Sequence, residues 1–156
     1  MRKLVAFLLL VLSASNIFAQ DLSKEKRIQE YNLESDRVAI QGFDPVAYFT
    51  ANKAVEGKKE HSYTHKGVTY HFSSAKNLNA FKANPDQYEP QYGGWCAYAL
   101  GATGKKVAID PETFKLVDGK LYLFYNQFFN NTKKDWDKDE KHLKSQADAN
   151  WKKIIR

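Results

Sequence analysis

Two short turn sequences, Lys66-Gly67 and Asp118-Gly119, constrain the fold of this 156-residue chain more than any other feature. Each lies inside a segment rich in β-branched and aromatic residues, Tyr63 to Phe72 and Phe114 to Tyr125. A two-residue turn between antiparallel strands needs a positive φ, which glycine adopts without steric cost. The two segments therefore predict two β-hairpins.

The first turn also sets which histidines share a face. Counting outward from it, His65 pairs with Val68, Tyr63 with Tyr70 and His61 with Phe72, while Ser62, Thr64, Thr69 and His71 take the opposite face. His61 and His65 are then roughly 13 Å apart, at about 3.3 Å per residue. Zinc binds imidazole nitrogen at about 2 Å, so these histidines cannot share an ion.

Between the hairpins, the sequence predicts short helices. Ser73 or Ser74 can cap a helix that runs to about Ala83, because serine side chains accept the free N–H groups of a first turn. Asn84-Pro85 ends it, and a short turn follows through Tyr88. Trp95 to Leu100 is the next helical segment, closed by Gly101.

Strand and helix patterns also flank this region. Val38-Ala39-Ile40 and Val46-Ala47-Tyr48-Phe49 are short strand candidates. Near the C-terminus, apolar residues recur at helical spacings and predict one amphipathic helix that packs on the core: Trp136, Leu143, Ala147, Trp151 and Ile154. Core packing is favoured over cofactor stacking for Trp136 and Trp151. The expected fold is a small α+β single domain with two β-hairpins, short helices and this amphipathic C-terminal helix.

The N-terminus has the pattern of an export signal. Arg2 and Lys3 precede an apolar run, and a small residue, Ala19, ends the segment. The run is shorter than the roughly 20 residues of a membrane-spanning helix, which disfavours the alternative of an anchor. We expect residues 1–19 to be a cleaved signal peptide, residues 20–36 a polar arm that is loose or forms a short helix, and residues 37–156 the folded domain. The predicted location is periplasmic or secreted.

Charge and cysteine content exclude several classes of protein. The chain has 24 Lys+Arg and 18 Asp+Glu, and loss of Arg2 and Lys3 leaves 22 against 18. This modest surplus is spread over mixed-sign segments, so we expect no nucleic-acid partner. Past residue 19 no apolar run is long enough to span a membrane, so we expect no stable membrane insertion. Cys96 is the only cysteine, which excludes an intramolecular disulfide and a closed cysteine-rich zinc site.

Four stretches, in order along the chain, together resemble the YHS domain family: Gly42-Phe43-Asp44-Pro45-Val46-Ala47-Tyr48-Phe49, Tyr70-His71-Phe72-Ser73-Ser74, Pro90-Gln91-Tyr92-Gly93-Gly94-Trp95-Cys96-Ala97 and Asp118-Gly119-Lys120-Leu121-Tyr122-Leu123. The resemblance is to the exported, stand-alone branch of the family. It implies a small α+β domain. Elsewhere this domain is fused to metal-transporting ATPases and metal-dependent oxygenases, where it is taken to bind metal. Those relatives carry paired cysteines, whereas this chain has Cys96 alone, which leaves weaker Cys/His coordination or no metal.

The candidate site is centred on Cys96. A thiol near a helix N-terminus is favoured as thiolate by the helix dipole and by free N–H groups. Cys96 and His71 are the predicted metal ligands, and Asp44, Tyr48 and Tyr92 are further candidate site residues. Three of these residues have an alternative role outside a site. Cys96 could be buried and pack as a small hydrophobic residue, His71 could be solvated, and Asp44 could form an Asx turn.

Three functions follow from these residues. The first is a binding or handling module for a transition metal of the copper class, with a copper or zinc ion held by cysteine and histidine. The second is a structural domain that binds a small ligand or an unidentified exported protein. The third is a thiol enzyme, which the absence of a second thiol and of a recognisable catalytic motif disfavours.

Overall fold

The computed structural model describes residues 24–156, so the signal peptide predicted at residues 1–19 lies outside the described part. The helices are α1 (24–30), α2 (Ala47–Ala51), α3 (Ala75–Ala83), α4 (Pro85–Tyr88), α5 (Ala97–Thr103), α6 (Thr132–Trp136) and α7 (Glu140–Ile154). The strands are β1 (Lys58–His65), β2 (Val68–Phe72), β3 (Asp110–Val117), β4 (Lys120–Phe124), β5 (Asn126–Gln127) and β6 (Asn130–Asn131). The α+β prediction is confirmed.

Both predicted hairpins are present, and β5 and β6 form a third, very short one. In the first hairpin, His65 pairs with Val68 and Tyr63 with Tyr70, as expected. The predicted pairing of His61 with Phe72 is wrong: Phe72 pairs with Lys58, because the register shifts between Lys58 and Ser62. An irregularity of this kind inserts unpaired residues, which the alternation of side chains does not reveal.

Four boundaries differ from the prediction. Helix α5 does not run from Trp95 to Leu100 but from Ala97 to Thr103, so Gly101 lies inside it and the left-handed Gly104 ends it. Residues 46–49 are not a strand but lie in or directly before helix α2, because the Asp44 carboxylate accepts the N–H groups of Val46 and Ala47 at the helix start. Residues 38–40 are reduced to two isolated bridges, one between Val38 and Thr69 and one between Ala39 and Leu33. The single C-terminal helix is interrupted after Trp136, which lets this fully buried indole enter the core.

Strand β4 separates two apolar clusters. Leu121 and Leu123 face one cluster, which contains the first hairpin and Phe81. Tyr122 and Phe124 face the other, which lies against α5, α6 and α7. Alternate residues of a strand point to opposite faces, so one short strand contributes to both halves of the core. Burial on both faces explains why four consecutive residues of β4 are buried.

Helices α5 and α7 approach closely at Gly101. A β-carbon at this position would lie 2.5 Å from the carbonyl oxygen of Leu143, which is closer than non-bonded atoms approach. The glycine is therefore required for the packing of these two helices.

The polar N-terminal segment docks on the domain. Of the two predicted alternatives, a loose arm or a short helix, residues 24–30 form the helix. The Trp95 indole donates a hydrogen bond to the Glu30 carbonyl oxygen at 2.6 Å, and the Asn32 amide donates to the Gly94 carbonyl oxygen at 3.0 Å. Among residues 24–156, none of the helices combines the length and apolar character that crossing a bilayer requires.

Candidate functional site

Cys96 is buried directly before helix α5. It is fully inaccessible, and the helix begins at the next residue, Ala97. Its sulfur accepts the N–H of Tyr125 at 3.3 Å and lies 3.4 Å from the hydroxyl of Thr132. A groove of about 470 Å³ passes beside it; the residues that line it are mostly apolar, and Lys105 is its charged member. None of these lining residues supplies an imidazole or a carboxylate.

His71 lies elsewhere, in a groove lined also by Gly42, Glu56, Gly57 and Lys59. Its pKa is lowered, first by desolvation and then by the charge of Lys59. This groove shares no lining residue with the groove beside Cys96. The structure therefore does not bring the two predicted metal ligands into one cluster.

Asp44 is a fully buried carboxylate with a structural role. One oxygen accepts the N–H groups of Val46 and Ala47, and the other accepts the N–H and hydroxyl of Ser73 and the amide of Asn77. These contacts fasten the start of α2 to the end of β2 and the start of α3. The bonds from Val46 and Ala47 to the Asp44 carboxylate correspond to the Asx turn, which was the alternative prediction for this residue.

Tyr48 and Tyr92 are buried and use their hydroxyls as donors. The Tyr48 hydroxyl donates to the Pro111 carbonyl at 2.8 Å, and the Tyr92 hydroxyl donates to Asp148 at 2.9 Å. Desolvation raises the pKa of both phenols, and Asp148 raises that of Tyr92 further. Both therefore stay protonated and act as core residues with satisfied hydroxyls.

A different cluster has the composition of a metal site. His65 at the end of β1 faces Asp86 and Glu89 on and beside α4, and one ligand atom from each lies within 4.8 Å of the others. In the described part of the chain, no other group of three histidine, cysteine, aspartate or glutamate residues meets this criterion. This cluster was not predicted from the sequence. Its one signal in the sequence is the pair of carboxylates three residues apart after Pro85. The docking of α4 against the first hairpin could not be predicted from the spacing of residues along the chain.

Glu89 is held in place by two neighbours. Arg27 forms an ion pair with both of its oxygens, and the Tyr70 hydroxyl donates to Oε1 at 2.6 Å. Burial raises the pKa of Tyr70, and Glu89 raises it further, so this phenol remains a donor. Arg27 is itself buried, with 9% of its side chain exposed, which makes this pair an internal anchor between α1 and α4.

His65 brings an uncommitted nitrogen to the cluster. Its Nε2 atom is buried and has no hydrogen-bond partner within residues 24–156. Its pKa is lowered, chiefly by desolvation, although Glu89 and Asp86 act in the opposite direction. A neutral imidazole has one ring nitrogen with a free lone pair, and this neutral form of histidine is the one that binds metal. An unpartnered buried nitrogen is destabilising unless something occupies it.

The cluster opens to solvent through an acidic groove. Asp86 is exposed, and both Asp86 and Glu89 line a groove of about 390 Å³ that also contains Asp148 and Lys152. Glu89 is neutralised by Arg27, so Asp86 and Asp148 against the ammonium group of Lys152 leave the lining with one net negative charge. Such a groove concentrates cations at the site.

The fold and this site define a small α+β domain with a cluster of histidine and carboxylate groups. Residues 46–92 match the family model of the YHS domain, which confirms the resemblance found in the sequence. The matched segment contains His65, Asp86 and Glu89, whereas Cys96 lies four residues beyond its end. Comparison with curated proteins and with solved structures gave no match.

Proposed function

We propose that this domain binds a divalent transition metal ion, Zn²⁺ or Cu²⁺, through His65, Asp86 and Glu89. The observation that carries the proposal is that His65, whose Nε2 is buried and unpartnered, offers a ring nitrogen within 4.8 Å of an oxygen from each of two carboxylates. The YHS match supports a role in metal handling in general, and this cluster supports a particular position for the ion.

The donor set favours borderline metals. Imidazole suits Zn²⁺ and Cu²⁺, whereas Cu⁺ prefers the thiolate that Cys96 would have to supply. Ligands at about 2.0–2.2 Å from one ion lie up to about 4 Å apart, so separations within 4.8 Å close with small side-chain movements. Water completes the coordination on the exposed Asp86 side.

Arg27 limits the affinity of the site but does not block it. A carboxylate offers about four lone-pair positions, and Arg27 and Tyr70 use three of those on Glu89. One position remains for a metal. The guanidinium charge repels the ion, so we expect weaker binding than at a closed structural zinc site.

The test is equilibrium binding of Zn²⁺ and Cu²⁺ to the reduced protein by calorimetry, before and after substitution. We expect one ion per chain, with affinity lowered more than about tenfold by His65→Gln and by Asp86→Asn. His71→Gln and Asp36→Asn are the matched controls, because both side chains lie outside the cluster. Glu89 is left intact because its loss would strand the buried charge of Arg27.

The same experiment separates this site from the one predicted from sequence. Cys96→Ser leaves binding unchanged if the ion is held by His65 and the carboxylates. Loss of binding in Cys96→Ser and in His71→Gln, with His65→Gln unaffected, would contradict the proposal and favour the cysteine-centred copper site. Export from the cytoplasm and a periplasmic or secreted location remain part of the proposal.

A further inference from the structure

The third hairpin carries two aromatic side chains in full contact with solvent. Phe128 and Phe129 join β5 to β6, with relative exposures of 88% and 111%. They are the large apolar side chains that stand exposed in the described residues. Adjacent exposed phenylalanines at a loop tip are unfavourable in water and mark a contact surface.

The backbone of this tip is unsuited to phenylalanine. Phe128 and Phe129 have φ values of 51° and 64°, the positive pair required by a type I′ turn. Asn-Gly and Asp-Gly are the residues that such turns prefer, because a side chain beyond the β-carbon is strained at positive φ. Local folding therefore gives no reason for two phenylalanines at this place.

The hairpin base is held firmly, so the tip is presented in one orientation. The Asn126 amide donates to the Thr113 hydroxyl at 2.9 Å, which ties β5 to β3. The Thr132 hydroxyl donates to the Tyr125 carbonyl at 2.9 Å, which ties the end of the hairpin to its start. A contact surface fixed in this way loses little conformational entropy on binding.

The residues beside the tip are uncharged or basic, and the nearest acidic contact is at the hairpin base, where the Asn126 amide donates to Asp110 at 3.4 Å. Gln127, Asn130 and Asn131 flank the two rings. Lys105 lines the same groove as Asn130, and Lys134 lies on α6 directly after the hairpin; both are exposed. Neither forms an ion pair with a described residue, unlike the neighbouring Lys133, which pairs with Asp137.

We propose that the Phe128-Phe129 tip docks on the surface of an anionic lipid bilayer. The rings enter the boundary between headgroups and acyl chains, while Lys105 and Lys134 face the anionic headgroups. Charge favours this occupant over a second copy of the chain, because the chain without Arg2 and Lys3 keeps 22 Lys+Arg against 18 Asp+Glu, a net of +4 that attracts anionic lipid and disfavours self-association. The contact is peripheral, and it is independent of the metal cluster.

The test is flotation of the full chain with vesicles of phosphatidylcholine alone or mixed with phosphatidylglycerol. The decisive variant is Phe128→Asn/Phe129→Gly, because it removes both rings and also supplies the residues that the turn prefers, so it does not destabilise the fold. We expect binding to the anionic vesicles and a loss of about tenfold or more in this variant. Lys105→Gln/Lys134→Gln should weaken binding and reduce its dependence on salt.

Three results would overturn this inference. The first is equal flotation of the wild type and the Asn-Gly variant, and the second is no flotation of the wild type with anionic vesicles. The third is concentration-dependent dimerisation in sedimentation velocity that the Asn-Gly variant abolishes, which would assign the tip to a second copy of the chain. Melting temperatures of both variants verify that they are folded.

Discussion

Replacing Asp44 by alanine should strongly destabilise the fold. The substitution removes the acceptor for five hydrogen bonds from Val46, Ala47, Ser73 and Asn77, whose donor–acceptor distances run from 2.6 to 3.3 Å. The N–H groups of Val46 and Ala47 make buried bonds, and an unsatisfied buried donor costs about 1–3 kcal/mol. Ser73 and Asn77 are partly buried and can turn to water, so their contribution is smaller.

These contributions add to a loss of about 3–5 kcal/mol in the free energy of unfolding. A domain of this size has about 5–15 kcal/mol in total, so Asp44→Ala should lose a substantial part of the stability of the fold. Asp44→Asn keeps one acceptor oxygen but turns an NH₂ group toward donors, and we expect an intermediate loss.

Urea denaturation followed by tryptophan fluorescence measures these differences directly. Glu112→Ala serves as the control, because this exposed side chain has no ion pair among the described residues, and it should change stability by less than about 0.5 kcal/mol. If Asp44→Ala unfolds within 1 kcal/mol of the wild type (roughly the contribution of a single hydrogen bond), the reasoning that Asp44 fastens α2, β2 and α3 is refuted.

Three further predictions concern packing and titration. Gly101→Ala should cost about 2 kcal/mol or more, because its β-carbon would lie 2.5 Å from the Leu143 carbonyl oxygen; an unchanged urea midpoint would contradict this. Cys96 should react with a thiol reagent only as fast as the chain unfolds, because it is fully buried, and rapid labelling of native protein would disprove this. The pKa values of His65 and His71 are lowered in the folded state, so their contribution to stability is present above about pH 6.5 and is lost as pH falls through the lowered values. His65→Gln should therefore flatten the acid side of the plot of stability against pH.

Local signals in the sequence were sufficient for much of the fold. Gly67 and Gly119 specify their turns through φ alone, and Ser74 caps α3 by accepting the N–H of Asn77, so these elements could be predicted without knowledge of the core. The interruption after Trp136 could not, because it depends on where the core has room for an indole. Helix α2 was missed because its apolar residues are too few to distinguish a strand from a helix turn.

The candidate site was harder to predict than the fold. Cys96 was the predicted centre of the site because it is the one cysteine of the sequence, and its predicted position at the start of a helix was nearly correct. Its polar neighbours, however, are Tyr125 after β4 and Thr132 at the start of α6. His65 and Glu89 are 24 positions apart in sequence, and their proximity depends on how α4 packs against the first hairpin. A site assembled by tertiary packing leaves little pattern in one sequence.

The most direct measurement of the central claim is electron paramagnetic resonance of the protein loaded with one equivalent of Cu²⁺. Binding through His65 and two carboxylates predicts a spectrum with nitrogen and oxygen ligands that is the same in Cys96→Ser and is lost in His65→Gln. An intense sulfur-to-copper absorption band, absent from Cys96→Ser but retained in His65→Gln, would contradict the account and return the metal to the cysteine.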